Sequence, residues 1–295
     1  MVQIGRRTRA RQAKGWQSTF SGLTGLGLIA PFLVVAGVFI VYPFVELLRT
    51  AFGEPDGLGN FGDFFQSPAA RRTLWTTCLT SLIVTVIVVG VGAVLAWSLR
   101  TTGSRLTRMA IALAVFMPLW MGAVMKIYAF TVLLERFGVV NRTLTWLGVI
   151  DEPMQLLRTQ FAVVAGMTYQ MLPYAVLPMY AVYVTIDLNL VQAAESMGAS
   201  RIRALRDVVT PLALPGLLAS TVIVYVICIG YYLTPVLLGG ATAPFTASLI
   251  ADDIFNLFVP QQAAVASVML LIVAGLVILG GLRLVGKERM RRALG

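Results

Sequence analysis

Histidine is absent from all 295 residues, which removes the imidazole base and a common metal ligand together. Cysteine is nearly absent. Cys78 and Cys228 each lie inside an apolar run, so no disulfide framework is available and both read as small buried residues. Charge is scarce: 12% of residues are charged, about half the ~25% of an ordinary soluble domain. No G-x-x-x-x-G-K-[ST] occurs either. Gly286-Lys287 is followed by Glu288, so the chain has no P-loop to cradle a nucleoside triphosphate. No nucleophile, base and metal set can be assembled from what is left. These absences point away from an enzyme and toward a conduit or carrier, with no cofactor, no catalytic residue and no metal expected.

What the sequence has in excess is apolar surface. Hydrophobic residues make up 58%, more than a soluble globule can hide and far too much for disorder. An integral membrane protein remains. Uncharged stretches mark its spans: 31 residues between Lys14 and Glu46, 27 between Arg72 and Arg100, 28 between Arg158 and Asp187, 44 between Asp207 and Asp252, and 29 between Asp253 and Arg283. A further stretch, from Ile111 to Leu134, is interrupted only by Lys126. A bilayer core of ~30 Å needs ~20 helical residues. Six transmembrane helices are therefore expected, at 24–48, 74–99, 108–133, 160–185, 213–238 and 262–284. The runs are continuously apolar rather than alternating, which argues against a membrane barrel. The first is about twice as long as a secretory signal's apolar region, so it reads as a span.

Basic residues set the orientation. With the N-terminus inside, 16 of the 23 Lys and Arg residues fall on the inner side, in the N-tail, the 2–3 loop, the 4–5 loop and the C-tail. Nine of the 13 acidic residues fall outside or near it. Both termini are expected in the cytoplasm, and the net charge of +10 is mostly a topology device rather than a nucleic-acid footprint.

The inner loop 186–211 is the most informative stretch. It reads as a helix, a bend and a second helix. Ala193, Ala194, Glu195 and Met197 favour helix, Gly198 interrupts it, and Asp187 or Asn189 can cap the start. From Ala199 to Val209 the pattern is helical again, and Pro211 and Pro215 restrict entry into the fifth span. Leu190, Ala194 and Gly198 form a stripe that lets another protein approach closely. Spacing alone leaves open a helix lying on anionic lipid.

This stretch resembles the cytoplasmic signature of ABC importer permeases: E-A-A, three residues, Gly, nine residues, then I-x-L-P. Gln192-Ala193-Ala194 takes the first place, Gly198 the second, and Val208-Val209-Thr210-Pro211 the last. Gln192 stands for the usual Glu and Thr210 for the usual Leu; Glu195 lies one turn on and can partly substitute. The likeness covers nearly the whole chain. IAPFLVVAGVFIVYPFVELLRTAF, FMPLWMGAVMKIYAFTVLLERFGVVN, MTYQMLPYAVLPMYA and YYLTPVLLGG resemble segments of the spermidine/putrescine permease subfamily, the first of its two paired permeases.

The resemblance implies an all-α integral membrane protein of the type I importer fold in a bacterial cytoplasmic (inner) membrane. It implies a basic N-tail (1–23), a first helix (24–48), a five-helix core (73–285) and a basic C-tail (286–295). It implies a second permease subunit, two ATP-binding subunits below and a substrate-binding protein outside, with no nucleic-acid partner. Gln192, Ala193, Ala194, Glu195, Gly198 and Pro211 would couple to the ATPase. The cargo would be a small organic solute, most simply polyamine-like. A self-sufficient secondary transporter or channel is the competing class, but mid-span carboxylates for ion coupling are lacking and no inverted repeat is evident.

Candidates for the translocation path follow from residue type and depth. Lys126 is ionisable within the third span, and its alternative role is snorkelling to outer headgroups. Pro173 and Pro178 are expected to bend or open the fourth span, or simply to kink it for packing. Tyr128, Gln170, Tyr174, Tyr231 and Tyr232 supply hydrogen-bonding or cation–π surfaces. Asp252 and Asp253 sit near the outer mouth, where they can screen cations.

Overall fold

The computed structural model describes residues 30–53 and 57–294, with side chains described through Leu284. The N-tail 1–23 and the start of the first span, 24–29, lie outside the described residues. Among those described there is no strand. The helices are α1 (Ala30–Ala51), α2 (Gly59–Gln66), α3 (Pro68–Thr101), α4 (Arg105–Trp120), α5 (Ala123–Leu134), α6 (Val139–Trp146), α7 (Gln160–Tyr183), α8 (Asn189–Ser196), α9 (Arg201–Ile229), α10 (Thr246–Phe255) and α11 (Pro260–Leu294).

The long helices begin where the sequence supplies a cap. Ser67, Ser104, Thr159 and Ser200 each accept an N–H from the residue three positions on, at the starts of α3, α4, α7 and α9. Pro68 fills the first position of α3, where its missing N–H is not needed.

Five helices are long and apolar enough to cross a membrane: α1, α3, α7, α9 and the part of α11 up to Leu284. The expected third span, 108–133, is not one helix. It breaks at Met121-Gly122, and the two parts are bent by 115°. Met121 is extended, with ψ of 134°, and ends α4 one turn after Pro118. At about 1.5 Å per residue α4 alone falls short of a ~30 Å hydrocarbon core, so the spans number five, or six where the bent pair is taken together as one. The fifth span is also corrected. α9 starts at Arg201 and stops at Ile229, so 230–238 leaves the α-helix and runs on along α7 toward its N-terminal end, with a π turn at Pro235–Gly239. α11 runs on through the expected C-tail to Leu294.

The core sits where α3, α7 and α9 meet. Val84, Val88, Met167, Met171, Val176 and Val224 are fully buried there. Small residues set the closeness of approach. A Cβ on Gly92 of α3 would lie 3.1 Å from the Ala175 Cβ of α7, and one on Gly216 of α9 would lie 3.0 Å from Val182. α7 stays a single helix across Pro173 and Pro178 rather than opening. Each ring removes the N–H that the carbonyl four residues back would accept. Packing holds the helix through the gap, and Ser220 Oγ of α9 donates to the Ala175 carbonyl at 2.9 Å. A second, smaller core joins the end of α1, α2, the start of α3 and α11 through Ala51, Phe64, Ala70, Val265 and Val268.

Candidate functional site: the coupling segment and the interior face

The inner loop folds as its sequence indicates. Asp187 starts it: its carboxylate accepts the Asn189 N–H at 3.0 Å, so the capping residue is Asp187 rather than Asn189. α8 then ends in a Schellman turn. The Gly198 N–H reaches the Glu195 carbonyl at 3.0 Å and the Ala199 N–H reaches the Ala194 carbonyl at 3.0 Å. That turn needs the left-handed backbone, and Gly198 has φ of +89°. Ser200 caps the following helix.

A π turn at Leu205–Val209 joins this first turn of α9 to the span proper. Its cause is local. Pro211 has no N–H to offer the Asp207 carbonyl, and the Thr210 N–H instead reaches back to Leu205. The Thr210 hydroxyl also donates to the Leu205 carbonyl, at 3.0 Å. A leucine at this position could not make that second bond.

Gln192, Ala193, Glu195, Gly198 and Pro211 are exposed, whereas Ala194 is buried against the start of α9. The stripe Leu190–Ala194–Gly198 is therefore partly covered from within. The segment's apolar exposure lies elsewhere: Met197 is 83% exposed and Ile202 is 80% exposed. A shallow groove beside them is lined by Ala194, Met197, Gly198, Ala199, Arg203, Ala204, Asp207 and Val208.

The path candidates do not form one cluster. Gln170 and Tyr231 are joined directly. Gln170 Nε2 donates to Thr234 Oγ1 at 2.9 Å and to the Gly166 carbonyl at 3.1 Å, and the Tyr231 hydroxyl donates to Gln170 Oε1 at 2.6 Å. Both ends of the Gln170 amide are thus engaged, and it latches the segment 230–239 onto α7. Tyr174 lies near Tyr231. Pro173 is buried in the core.

Lys126 stands apart. Its ammonium donates to the Pro118 carbonyl at 3.1 Å, across the break between α4 and α5. There it meets a carbonyl orphaned at a helix C-terminus, an arrangement worth about 0.3–1 kcal/mol. Tyr128 is 69% exposed, and Tyr232 is exposed as well.

Residue-by-residue inspection of the sequence missed two anchors. Thr234 supplies the far end of the Gln170 latch. Asn141 holds the outer loop by itself: its Nδ2 donates to the carbonyls of Glu135 (3.2 Å) and Met154 (2.8 Å), and its Oδ1 accepts the Met154 N–H at 3.1 Å. A buried asparagine inside a stretch of outer loop is the signal that points to such a clasp.

Comparison with known proteins adds the family. Residues 16–289 match the family described as a binding-protein-dependent transport system inner membrane component. The spermidine/putrescine transport system permease protein PotB of Salmonella typhimurium (strain SL1344) is 31% identical over 251 residues, covering 82% of this chain and 87% of that one. PotB of Escherichia coli (strain K12) is 31% identical over 199 residues, 68% of this chain and 72% of that one. Among solved structures, a bacterial ABC transporter involved in the import of the acidic polysaccharide alginate has a chain with TM-score 0.73 at 19% identity. The match covers 94% of this chain and 99% of that one. The inward-facing MetNI methionine ABC transporter matches with TM-score 0.54 at 18% identity, over 74% of this chain and 94% of that one.

Proposed function

Because the chain belongs to the binding-protein-dependent transport system inner membrane components, as an ABC importer permease subunit of the inner membrane, we propose that it forms half of an ATP-driven translocation path. In this reading both termini face the cytoplasm, and a second permease subunit completes the path. Two ATP-binding subunits dock below, and a substrate-binding protein delivers cargo from outside. The chain carries no nucleotide site of its own, and the energy enters through the inner loop.

The observation that supports this most is the shape of the coupling segment. A short helix is closed by a glycine in the left-handed conformation, with Met197 and Ile202 exposed on either side of the turn. Exposed apolar side chains clustered at a tight turn suit a groove on another protein. Closure of the ATPase pair would push on Gln192, Ala193, Ala194, Glu195 and Gly198. The start of α9, through Pro211, would carry that motion into the core.

The proposed path runs along the α7 face and the segment 230–239. Tyr174 and Tyr231 offer phenol surfaces there, with Gln170 and Pro173 shaping the wall behind them. Lys126 and Tyr128 would flank the path at the break in the third span. We assign a small organic cation of the polyamine class as cargo, on the strength of the PotB relatives. Aromatic faces hold such cations without the cost of a buried mid-span carboxylate.

The test uses the complete transporter in proteoliposomes. Gly198→Trp and Ala194→Trp are expected to abolish ATP-dependent uptake and to weaken co-purification of the ATP-binding subunits. Normal uptake in both variants would sink the coupling assignment. Uptake by this chain alone, with no ATPase present, would transfer it to the gradient-driven class.

A further inference from the structure

On the side of the molecule opposite the coupling segment, a cavity of about 330 Å³ opens between α2, α10 and the start of α11. None of Lys126, Tyr128, Gln170, Pro173, Tyr174 and Tyr231 lines it, whereas Asp253, which the sequence places near the outer mouth, does. Its lining includes two carboxylates, Asp63 and Asp253, with Asn60, Ser67, Gln261 and Gln262 beside them. Phe64, Leu249 and Val265 form an apolar floor continuous with the second core. No lysine or arginine lines it.

Asp253 is the unusual member. It is 3% exposed, yet its carboxylate has no hydrogen-bond donor and no cationic partner among the described residues. Buried carboxylates are ordinarily paired, because withdrawing the charge from water is otherwise uncompensated. The neighbouring acid, Asp252, is exposed and takes its bond from Asn256 Nδ2 at 2.8 Å. The polar lining does not supply the missing donor. Asn60 directs its Nδ2 to the carbonyls of Ala51 (3.2 Å) and Gly53 (3.1 Å), leaving its oxygen as an acceptor. Gln261 Nε2 also points to Gly53, at 3.3 Å. Ser67 Oγ accepts the Ala70 N–H. Ser67 keeps its hydroxyl proton and Gln262 its amide protons, so the walls present two carboxylates and neutral polar groups over an apolar floor, with no cationic side chain among them.

We propose that this cavity is a binding site for a primary ammonium group carried on a short alkyl stem. Asp253 and Asp63 receive the ammonium, the Asn60 oxygen accepts one of its protons, and the methylenes lie on Phe64, Leu249 and Val265. An ammonium carries three donors and no acceptor, which matches a lining with two carboxylates and no cationic side chain. Burial and Asp252 hold the Asp253 carboxyl above the usual carboxylate range, as expected of an acid whose counter-charge arrives with a ligand. The chemistry is shared by a free alkylamine and by the ethanolamine headgroup of a lipid. The site stands on the cavity alone and not on the cargo assignment.

The experiment reads the cavity locally. Gln262→Cys in the full chain, labelled with a trifluoromethyl tag and held in nanodiscs, is titrated with 1,4-diaminobutane, butylamine and 1,4-butanediol while the fluorine shift is followed. Both amines are expected to move the signal saturably and the diol is not. Asp253→Asn is expected to raise the apparent Kd at least tenfold, and Asp63→Asn to raise it by a smaller factor. Thermal unfolding of both variants is recorded in parallel, so lost binding is separated from lost fold. Equal response to the diol, or amine affinity unchanged in folded Asp253→Asn, overturns the proposal. Repeating the titration with and without phosphatidylethanolamine distinguishes the sources. Competition assigns the headgroup as occupant, and its absence assigns the soluble amine. A tag that responds while amine uptake fails would retire the cargo assignment and leave the site intact.

Discussion

α1 and α7 are both apolar enough to cross a bilayer, yet half of α7's apolar window is buried by the chain itself and none of α1's is. The two differ in mean hydropathy, 2.2 for α1 and 1.2 for α7, and also in side-chain size. α7 turns Ala162, Gly166 and Ala175 toward its neighbours, and they let α3, α9 and the segment 230–239 come close. α1 carries Phe32, Val34, Phe39 and Ile40 outward, where none of the described residues covers them. One helix is held by its own fold. The other takes its environment from outside, from lipid or from a neighbouring subunit. Small residues drive helix association in membranes because lipid offers no hydrophobic penalty to escape.

The contrast is most easily broken at Gly92. Gly92→Ile places branches where even a Cβ meets Ala175 at 3.1 Å. It is expected to cost about 3 kcal/mol, read as a lower midpoint in SDS titration of the micelle-bound chain. Next comes the latch. Gln170→Leu keeps the volume but strands Tyr231 and Thr234, at a cost of about 2 kcal/mol, with faster hydrogen exchange at 230–239. Intact protection there would refute the latch. Gly198→Ala forces a Cβ into the left-handed region, for about 1 kcal/mol. Its effect should stay in α8 exchange rates and leave the SDS midpoint unmoved.

Asp253→Asn works in the other direction. The Asp253 carboxyl is raised above its ordinary value, so ionisation opposes the fold. The destabilisation is absent below both the unfolded and folded values and grows as pH rises between them. The asparagine variant is therefore expected to unfold at a higher temperature than the parent at neutral pH, with the gap closing in acid. A gap that widens in acid would reverse the sign. Smallest of all is Phe39→Ala on α1, expected within about 0.5 kcal/mol in the isolated chain. A loss comparable to Gly92→Ile would erase the distinction between the two helices.

Much of this architecture is legible in the residues. Gaps between charges locate five continuous helices because an unpaired charge is costly in hydrocarbon. The helix–bend–helix of the inner loop follows from one glycine among helix formers, and the structure keeps it with Gly198 at φ of +89°. What composition does not encode is direction. Met121-Gly122 and the stretch after Ile229 are as apolar as the helices they interrupt, so a sharp break and the end of an α-helix both look like continued span. Lys126 shows the same limit: its depth is visible in the sequence, but the carbonyl it meets, Pro118, is set by a bend that hydropathy does not register. Thr234 and Asn141 were hidden for a different reason. Their partners lie 64 and 13 residues away, and only the fold brings them together.

The π turn at Leu205–Val209 has a consequence for how force travels. Each residue of an α-helix advances the chain by about 100° around its axis. The turn holds one residue more than an α-helical turn closed on the same carbonyl, so it sets the rotational phase between the coupling segment and the span that follows. Deleting one residue there would let the turn close as an ordinary α-helical turn and leave the pieces on either side near their present phase. A deletion in the regular part of α9 would instead swing the preceding segment by about 100°, more than a quarter circle. The extra residue is thus absorbed within the turn, which keeps the candidate coupling segment in step with the span that follows.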